Sequence, residues 1–303
     1  MRLLGLSCGE RDGSAEILLK AAVAAAERTD VESQLVRMVE LRIPFGDALT
    51  AADDDAPWFW EQLMECDALI ISAPIYARSV PGTLRLLGDR LLGPNADAAF
   101  VEELLALRRS GQEPTVPFRV DERVLKPRVA GFIACGGSLT DHWKTLALPL
   151  MHSFTFSMQV GVVDQVQFAG AGTPASIVLD EDAIERAGVL GARVAGQIGR
   201  SFDEVEYLGP PGACPMCHLD VVVVKGGGEV ECATCGARGA FVVSGGDVSI
   251  TFSPEGCEQS VISMAEKRAH FFEVQDTAAR HAPRAQEIRE RAARLATGET
   301  AAI

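Results

Sequence analysis

The sequence predicts an α/β protein with a doubly wound parallel sheet, followed by a smaller module. Strand-like and helix-like segments alternate over roughly the first 200 residues, which is the pattern of such sheets. The apolar run at 68–71 is typical of a strand that is buried on both faces. The composition then changes abruptly after Gly209-Pro210-Pro211-Gly212, which indicates a domain boundary.

The predicted elements follow the chain in a regular order. We place strands at 2–6, 33–39, 68–71, 129–135 and 160–168. Helices are predicted at 14–27, 58–65, 80–92, 140–158 and 180–202, with a loop over 41–55. For this class of sheet the expected strand order is 2-1-3-4-5.

Composition excludes several classes of protein. The chain has 303 residues, of which 48% are hydrophobic, and a net charge of −14, which argues against a nucleic-acid partner. It contains no uninterrupted apolar run of the length that spans a membrane, and no signal-peptide pattern is visible. Two cysteine pairs and four scattered cysteines fit a reducing compartment better than a disulfide framework, so we expect a cytoplasmic protein.

The loop at 7–15 joins the first strand to the first helix and has the features of a phosphate site. Backbone N–H groups at a helix N-terminus attract anions, and Ser7, Ser14 and Arg11 can add hydroxyl donors and a charge. The Walker and dinucleotide glycine patterns are both absent, which disfavours a nucleotide triphosphatase. The alternative is an ordinary turn in which Ser14 caps the helix.

Two further loops follow predicted strands at the same edge of the sheet. After 68–71, Pro74 ends the strand ladder and Tyr76 offers a flat face for stacking on a planar ligand. After 129–135, Gly136-Gly137 permits close approach of the backbone to a ligand. Ligands of open α/β sheets bind at such carboxyl ends of strands.

These loops resemble those of the NAD(P)H-dependent FMN reductase superfamily, which has the flavodoxin-like fold. The segment Pro74-Ile75-Tyr76 before a Leu-rich helix that ends Asp89-Arg90 is similar to its second flavin loop, although Gly13-Ser14-Ala15 stands where that family has Gly-Asn-Thr. The resemblance covers about residues 1–200 and implies bound FMN, NAD(P)H as co-substrate and a homodimer or homotetramer. The implied FMN-binding residues are Ser7, Cys8, Arg11, Gly13, Ser14, Ala15, Pro74, Ile75, Tyr76, Ala77, Gly136, Gly137 and Ser138.

A second motif lies outside that resemblance. Cys214-x-x-Cys217 and Cys232-x-x-Cys235 are separated by 14 residues, a spacing typical of four thiolates around a structural zinc. The pattern is similar to a zinc ribbon and less closely to a rubredoxin-like iron site, and we favour zinc. We therefore predict an FMN-binding domain at 1–208 with an insertion at 93–127, a zinc-ribbon-like module at 209–256 and a helical segment at 257–303.

Together these features predict an FMN-dependent NAD(P)H oxidoreductase that reduces a small acceptor such as a quinone or a flavin. Because the flavin carries the chemistry, no catalytic acid–base pair or triad is expected, and the sequence shows none. Two alternatives remain open at this level. One is a carrier that passes single electrons from flavin and a rubredoxin-like iron to a protein partner, and the other is an adaptor with a vestigial flavin site.

Overall fold

The parallel sheet is the centre of the larger unit. The computed structural model describes residues 1–45 and 53–296. Five parallel strands have the order β2-β1-β3-β4-β5, which confirms the predicted flavodoxin-like order. The strands are β1 (Arg2–Ser7), β2 (Glu32–Arg37), β3 (Ala68–Pro74), β4 (Val129–Cys135) and β5 (Gly161–Phe168).

Helices cover both faces of this sheet. On one face α1 (Ser14–Glu27) and α6 (Glu181–Ala195) share an apolar core with the strands. A side chain at Gly191 would lie 1.9 Å from the Ala22 carbonyl oxygen, so the close contact between these two helices requires glycine. The opposite face is covered by α2 (Ala56–Glu65), α3 (Gly82–Leu91) and α5 (Ala147–His152).

The helix predicted over 140–158 is shorter than expected. The structure has a 3₁₀ turn at Asp141–Trp143 and then α5, in which Pro149 is the third residue. Proline lacks the N–H that an interior helical position must donate, and its ring clashes with the preceding turn. The α-helix therefore begins just before Pro149, where the missing donor costs least.

The predicted insertion contains α4 (Ala98–Ser110), which packs against the C-terminal part of the chain. Asp97 caps α4 by accepting hydrogen bonds from the N–H groups of Ala99 and Phe100. Phe100 meets Phe271 of α8 (Met264–His281) edge to face, with ring centroids 5.1 Å apart. The insertion and the C-terminal helix thus form one contiguous apolar cluster.

A second, antiparallel sheet has the order β6-β7-β8-β9. Its strands are β6 (Val222–Gly226), β7 (Glu229–Cys232), β8 (Arg238–Ser244) and β9 (Asp247–Phe252), and α7 (Pro254–Glu258) follows. Beyond α8 lies α9 (Ala285–Ala296). The end of the helical segment predicted at 257–303 and part of the loop predicted at 41–55 lie outside the described residues. Within the described ranges, no helix has the length and apolar character needed to cross a membrane.

Candidate functional site

Backbone hydrogen bonds join the loops at the carboxyl ends of the parallel strands. The N–H of Cys8 donates to the Ser72 carbonyl at 2.9 Å, which ties the first loop to β3. The N–H of Ile75 donates to the Cys135 carbonyl at 2.8 Å, and the N–H of Gly136 donates to that of Phe168 at 3.0 Å. The three loops predicted from sequence are therefore neighbours at one edge of the sheet, where such folds bind ligands.

The first loop presents free donors at the start of α1. The N–H of Ile17 makes the first hydrogen bond of the helix, to the Gly13 carbonyl at 3.0 Å. The N–H groups of the three residues before it therefore have no partner within the helix. The Ser14 hydroxyl is buried and has no hydrogen-bond partner in the described structure. A buried hydroxyl without a partner is costly, and it is satisfied when it donates a hydrogen bond to a phosphate oxygen. The loop therefore fits the phosphate of FMN.

Negative charge beside this loop is neutralised within the protein. The carboxylate of Glu16 is fully buried and paired with Arg37 at 2.8 Å and with Lys20 at 2.8 Å. Burial alone raises the pKa of Glu16, but hydrogen bonds from Arg37 and Lys20 outweigh that effect and lower it to about 2. Arg11, the cation proposed for the phosphate, forms an ion pair with Glu40 at the loop surface. Sequence reasoning did not identify Arg37, because it lies on β2, 21 positions from Glu16. It also missed Lys20, although the spacing of four residues from Glu16 within α1 was a local signal for that pair.

The second loop holds Tyr76 in a tight hairpin. The N–H and C=O groups of Tyr76 and Ser79 are hydrogen-bonded to each other, at 2.8 and 2.9 Å. Between them Ala77 and Arg78 have φ of +46° and +74°, as in a type I′ turn. Left-handed backbone is costly for alanine and arginine, and such strain is common in ligand-binding loops. The turn leaves Tyr76 54% exposed beside the loop network.

The third loop needs its glycines for packing against its neighbours. A side chain at Gly136 would lie 3.2 Å from Ile75 of the second loop. One at Gly137 would lie 2.9 Å from Gly172, in the loop that follows β5. That fourth loop also joins the network, since the N–H of Ala171 donates to the Gly136 carbonyl at 3.1 Å. It was not predicted, although Gly170 and Gly172 were a visible signal for it.

Exposed apolar side chains surround the loop network. Leu139 is 80% exposed and Trp143 is 52% exposed, and both follow the third loop, while Tyr76 lies on the second. The N–H of Leu146 donates to the Arg78 carbonyl at 3.1 Å, which holds the segment after Trp143 beside the Tyr76 hairpin. Large apolar groups at a site edge are typical of binding surfaces for apolar, planar molecules.

The thiols and histidines near the site differ in their burial and surroundings. Burial raises the pKa of Cys8 above its usual range and that of Cys135 to about 11, so both thiols stay protonated at neutral pH. Ser138 hydrogen-bonds with Thr140 at 3.0 Å. His142 is exposed near Trp143, and His152 is buried beneath β5 rather than in these loops.

The four paired cysteines converge in the smaller unit. Their Sγ atoms all lie within 4.8 Å of one another and all four residues are buried. Each knuckle turns through a left-handed residue directly after its second cysteine, His218 with φ of +59° and Gly236 with φ of +77°. Four convergent thiols fit a tetrahedral metal ion, so the donor set agrees with the spacing.

The fold and this loop network define an α/β protein with a candidate ligand site at the carboxyl ends of its parallel strands. The chain belongs to the NADPH-dependent FMN reductase family, whose model matches residues 1–174. It is therefore an NAD(P)H-dependent flavin oxidoreductase, with FMN as cofactor.

Two known proteins match the chain over nearly its full length. It is 35% identical over 289 residues to "Flavone synthase cfoJ" of Aspergillus candidus, covering 89% of this chain and 87% of that protein. A solved structure named "flavone reductase" has a TM-score of 0.81 at 24% identity and covers 100% of this chain and 99% of its own. The match to this structure shows a shared fold, which includes the cysteine-rich sheet and the C-terminal helices.

Proposed function

We propose that this enzyme transfers hydride between NAD(P)H and a flavone-type acceptor through FMN. The observation that carries the proposal is the exposure of three large apolar side chains, Tyr76, Leu139 and Trp143, on the segments of the loop network. A flavone is flat, aromatic and largely apolar, which suits that surface better than a strongly charged acceptor. The two full-length relatives, whose names refer to flavones, support the same substrate class.

The residues of the chain have distinct roles in this proposal. Ser14 and the backbone N–H groups of the first loop hold the cofactor phosphate, with the other residues of the three loops around it. Tyr76 and the backbone at Gly136 contact the ring system and fix its orientation. Arg78 lies in the exposed hairpin and offers a cation for the nicotinamide dinucleotide in an acidic protein. Bound FMN supplies the hydride chemistry.

The reaction balances without a protein acid. A flavone has a carbon–carbon double bond conjugated with a carbonyl group, so the bond can accept a hydride at its far carbon. A proton from solvent then completes the saturated product, at a surface that the exposed loops leave open to water. NAD(P)H is oxidised by two electrons for each double bond reduced.

We propose that the cysteine cluster binds zinc and has a structural role. The module contacts the amino end and the middle of β5, through the knuckle at Cys217, whereas the flavin loops lie at the carboxyl ends of the strands. The small core of the module consists largely of the four cysteines, Ala237 and Ile262, so it needs a metal to be stable.

The test is an anaerobic assay of the FMN-loaded enzyme with NADH or NADPH and unsubstituted flavone. We expect one molecule of flavanone for each NAD(P)H oxidised. Mass spectrometry detects the product as flavone with two added hydrogens. Menadione serves as a generic acceptor, and Tyr76→Ala should slow flavone reduction more than menadione reduction. Rapid turnover of menadione with no flavone reduction, and no flavanone oxidation in the reverse direction, would overturn the assignment.

A further inference from the structure

A cavity of about 320 Å³ lies between the parallel sheet and the cysteine module. It is lined by Val160, Gly161 and Val162 at the amino end of β5, and by Pro215 and Met216 of the first knuckle. The flavin loops adjoin the opposite end of this strand, at Phe168. The cavity is therefore separate from the candidate flavin site, and its volume falls in the range of small-molecule pockets, roughly 300–1,000 Å³.

Aromatic and thioether side chains form the walls. Phe156 and Phe202 line the cavity and pack against the cysteine cluster together with Met216. Tyr207 and His218 form a stacked pair beside them, with ring centroids 3.7 Å apart and planes 7° apart. Flat walls of this kind favour a planar aromatic guest, and the sulfur of Met216 makes favourable contacts with aromatic rings.

His152 is a buried side chain that lines the cavity and has one ring nitrogen without a hydrogen-bond donor. The amide nitrogen of Gln165 donates to the carbonyls of Cys217 and His218, at 2.9 and 3.3 Å. Its oxygen therefore faces His152 and accepts from Nε2 at 2.8 Å, which fixes the proton of that imidazole on Nε2. Nδ1 of His152 is then an acceptor, and no group in the described structure donates to it.

The charges around the cavity indicate which ligands it can bind. The lining residues include the exposed carboxylate of Asp203 but no lysine or arginine, so an anion finds no counter-charge there. Burial lowers the pKa of His152 to about 4, so its ring stays neutral at physiological pH and Nδ1 accepts rather than donates. The hydroxyl of Thr155, the other lining polar group that is nearly fully buried, already donates to the carbonyl of His152 at 3.0 Å.

We propose that this cavity binds a neutral aromatic molecule with an O–H or N–H donor, such as a phenol, with that donor on Nδ1 of His152. The ring lies between Phe156, Phe202 and Met216. Because the walls come from both the sheet and the module, an occupant contacts both units and stabilises their association by mass action.

The test uses full-length protein loaded with FMN and zinc, and 4-fluorophenol as the probe. Binding of the probe is measured by ¹⁹F NMR. The hydrogen bond to His152 is measured by the ¹⁵N resonance of its Nδ1 in histidine-labelled protein. Met216→Trp fills the cavity, and Thr234→Trp is the matched control, since Thr234 occupies the same place in the second knuckle and does not line the cavity. His152→Phe removes the acceptor, and Tyr76→Ala reports any binding in the flavin site.

We expect saturable binding that shifts Nδ1 of His152 and weakens at least about tenfold in Met216→Trp and His152→Phe, a loss of about 1.4 kcal/mol. Thr234→Trp and Tyr76→Ala should bind as the wild type does. Binding that survives Met216→Trp but is lost in Tyr76→Ala would place the probe in the flavin site and overturn the proposal. Binding that does not saturate up to about 10 mM probe would also overturn the proposal, because so weak an affinity does not indicate a site.

Discussion

The side-chain amide of Gln165 donates a hydrogen bond of 2.9 Å to the carbonyl oxygen of Cys217, which lies 52 residues further along the chain. Gln165 is in β5 of the parallel sheet, and Cys217 belongs to the first knuckle of the cysteine cluster. The same side chain accepts from His152, so one buried amide joins α5, the sheet and the module. This contact makes the attachment of the module specific rather than merely apolar.

Replacing Gln165 tests that connection. Gln165→Leu keeps the approximate volume but leaves the carbonyl of Cys217 and the Nε2–H of His152 without partners in a buried place. We expect a loss of about 2–5 kcal/mol in the free energy of unfolding, measured by urea denaturation. Gln167→Leu is the control in the same strand, because its half-buried amide donates only to the Lys144 carbonyl. Equal losses in the two variants would contradict a special role for Gln165.

Removing the unpartnered hydroxyl of Ser14 should weaken FMN binding without lowering the stability of the apoprotein. Ser14→Ala should weaken FMN binding about 10- to 100-fold, because a charge-assisted hydrogen bond to phosphate is lost. The apoprotein should be as stable as the wild type or slightly more so, since a buried donor without a partner is removed. Fluorescence titration with FMN and thermal unfolding of the apoprotein measure the two effects.

A suitable control for Ser14→Ala is Ser110→Ala, at the exposed end of α4, where the hydroxyl donates to Leu107. It should change neither quantity by more than about 0.5 kcal/mol. If Ser14→Ala destabilises the apoprotein and leaves FMN affinity unchanged, the hydroxyl is a structural group and not a phosphate ligand.

Much of the parallel sheet was predictable because its signals are local. The buried apolar runs located β3 and β4, and the alternation with helices fixed the class and the strand order. The cysteine spacing likewise identified four side chains that do converge. In each case the signal is a short local pattern, either a buried apolar run or a pair of cysteines three positions apart.

What could not be predicted depends on distant or unusual partners. The pairing of Glu16 with Arg37 joins residues 21 positions apart, and no local pattern indicates it. The Tyr76 hairpin has Ala77 and Arg78 in left-handed conformations that sequence usually marks with asparagine or glycine. The late start of α5 at Ala147, by contrast, does have a local signal in the sequence, because Pro149 cannot occupy the interior of a helix.

Removal of one thiol should affect the module but not the flavin unit. Cys217→Ser takes away one of four donors. We expect loss of the bound metal, about one equivalent in the wild type, and rapid proteolysis within the module at 209–256. Metal analysis and limited proteolysis measure this, while flavin absorbance should persist. Cys257→Ser is the control, because Cys257 lies outside the group of four. If the Cys217→Ser protein keeps its metal and its resistance to proteolysis, the four thiols do not form a metal site.

The buried His152 makes stability depend on pH in a defined direction. Burial lowers its pKa from 6.5 to about 4 in the folded protein, so between these values the unfolded chain binds more protons than the folded one. Stability contributed by the neutral ring is therefore complete above pH 6.5 and declines as the pH falls toward 4, by about 3 kcal/mol in all. His218, whose pKa burial also lowers to about 4, adds a slope of the same sign.

The variant His152→Phe isolates the contribution of His152, because it leaves His218 in place. Its free energy of unfolding should be lower than that of the wild type at pH 7, since the oxygen of Gln165 loses its donor. Between pH 6.5 and 4 it should fall less steeply than the wild type, so the two curves converge. Urea denaturation at half-unit pH intervals measures both slopes, and parallel curves would show that His152 is protonated equally in the folded and unfolded states.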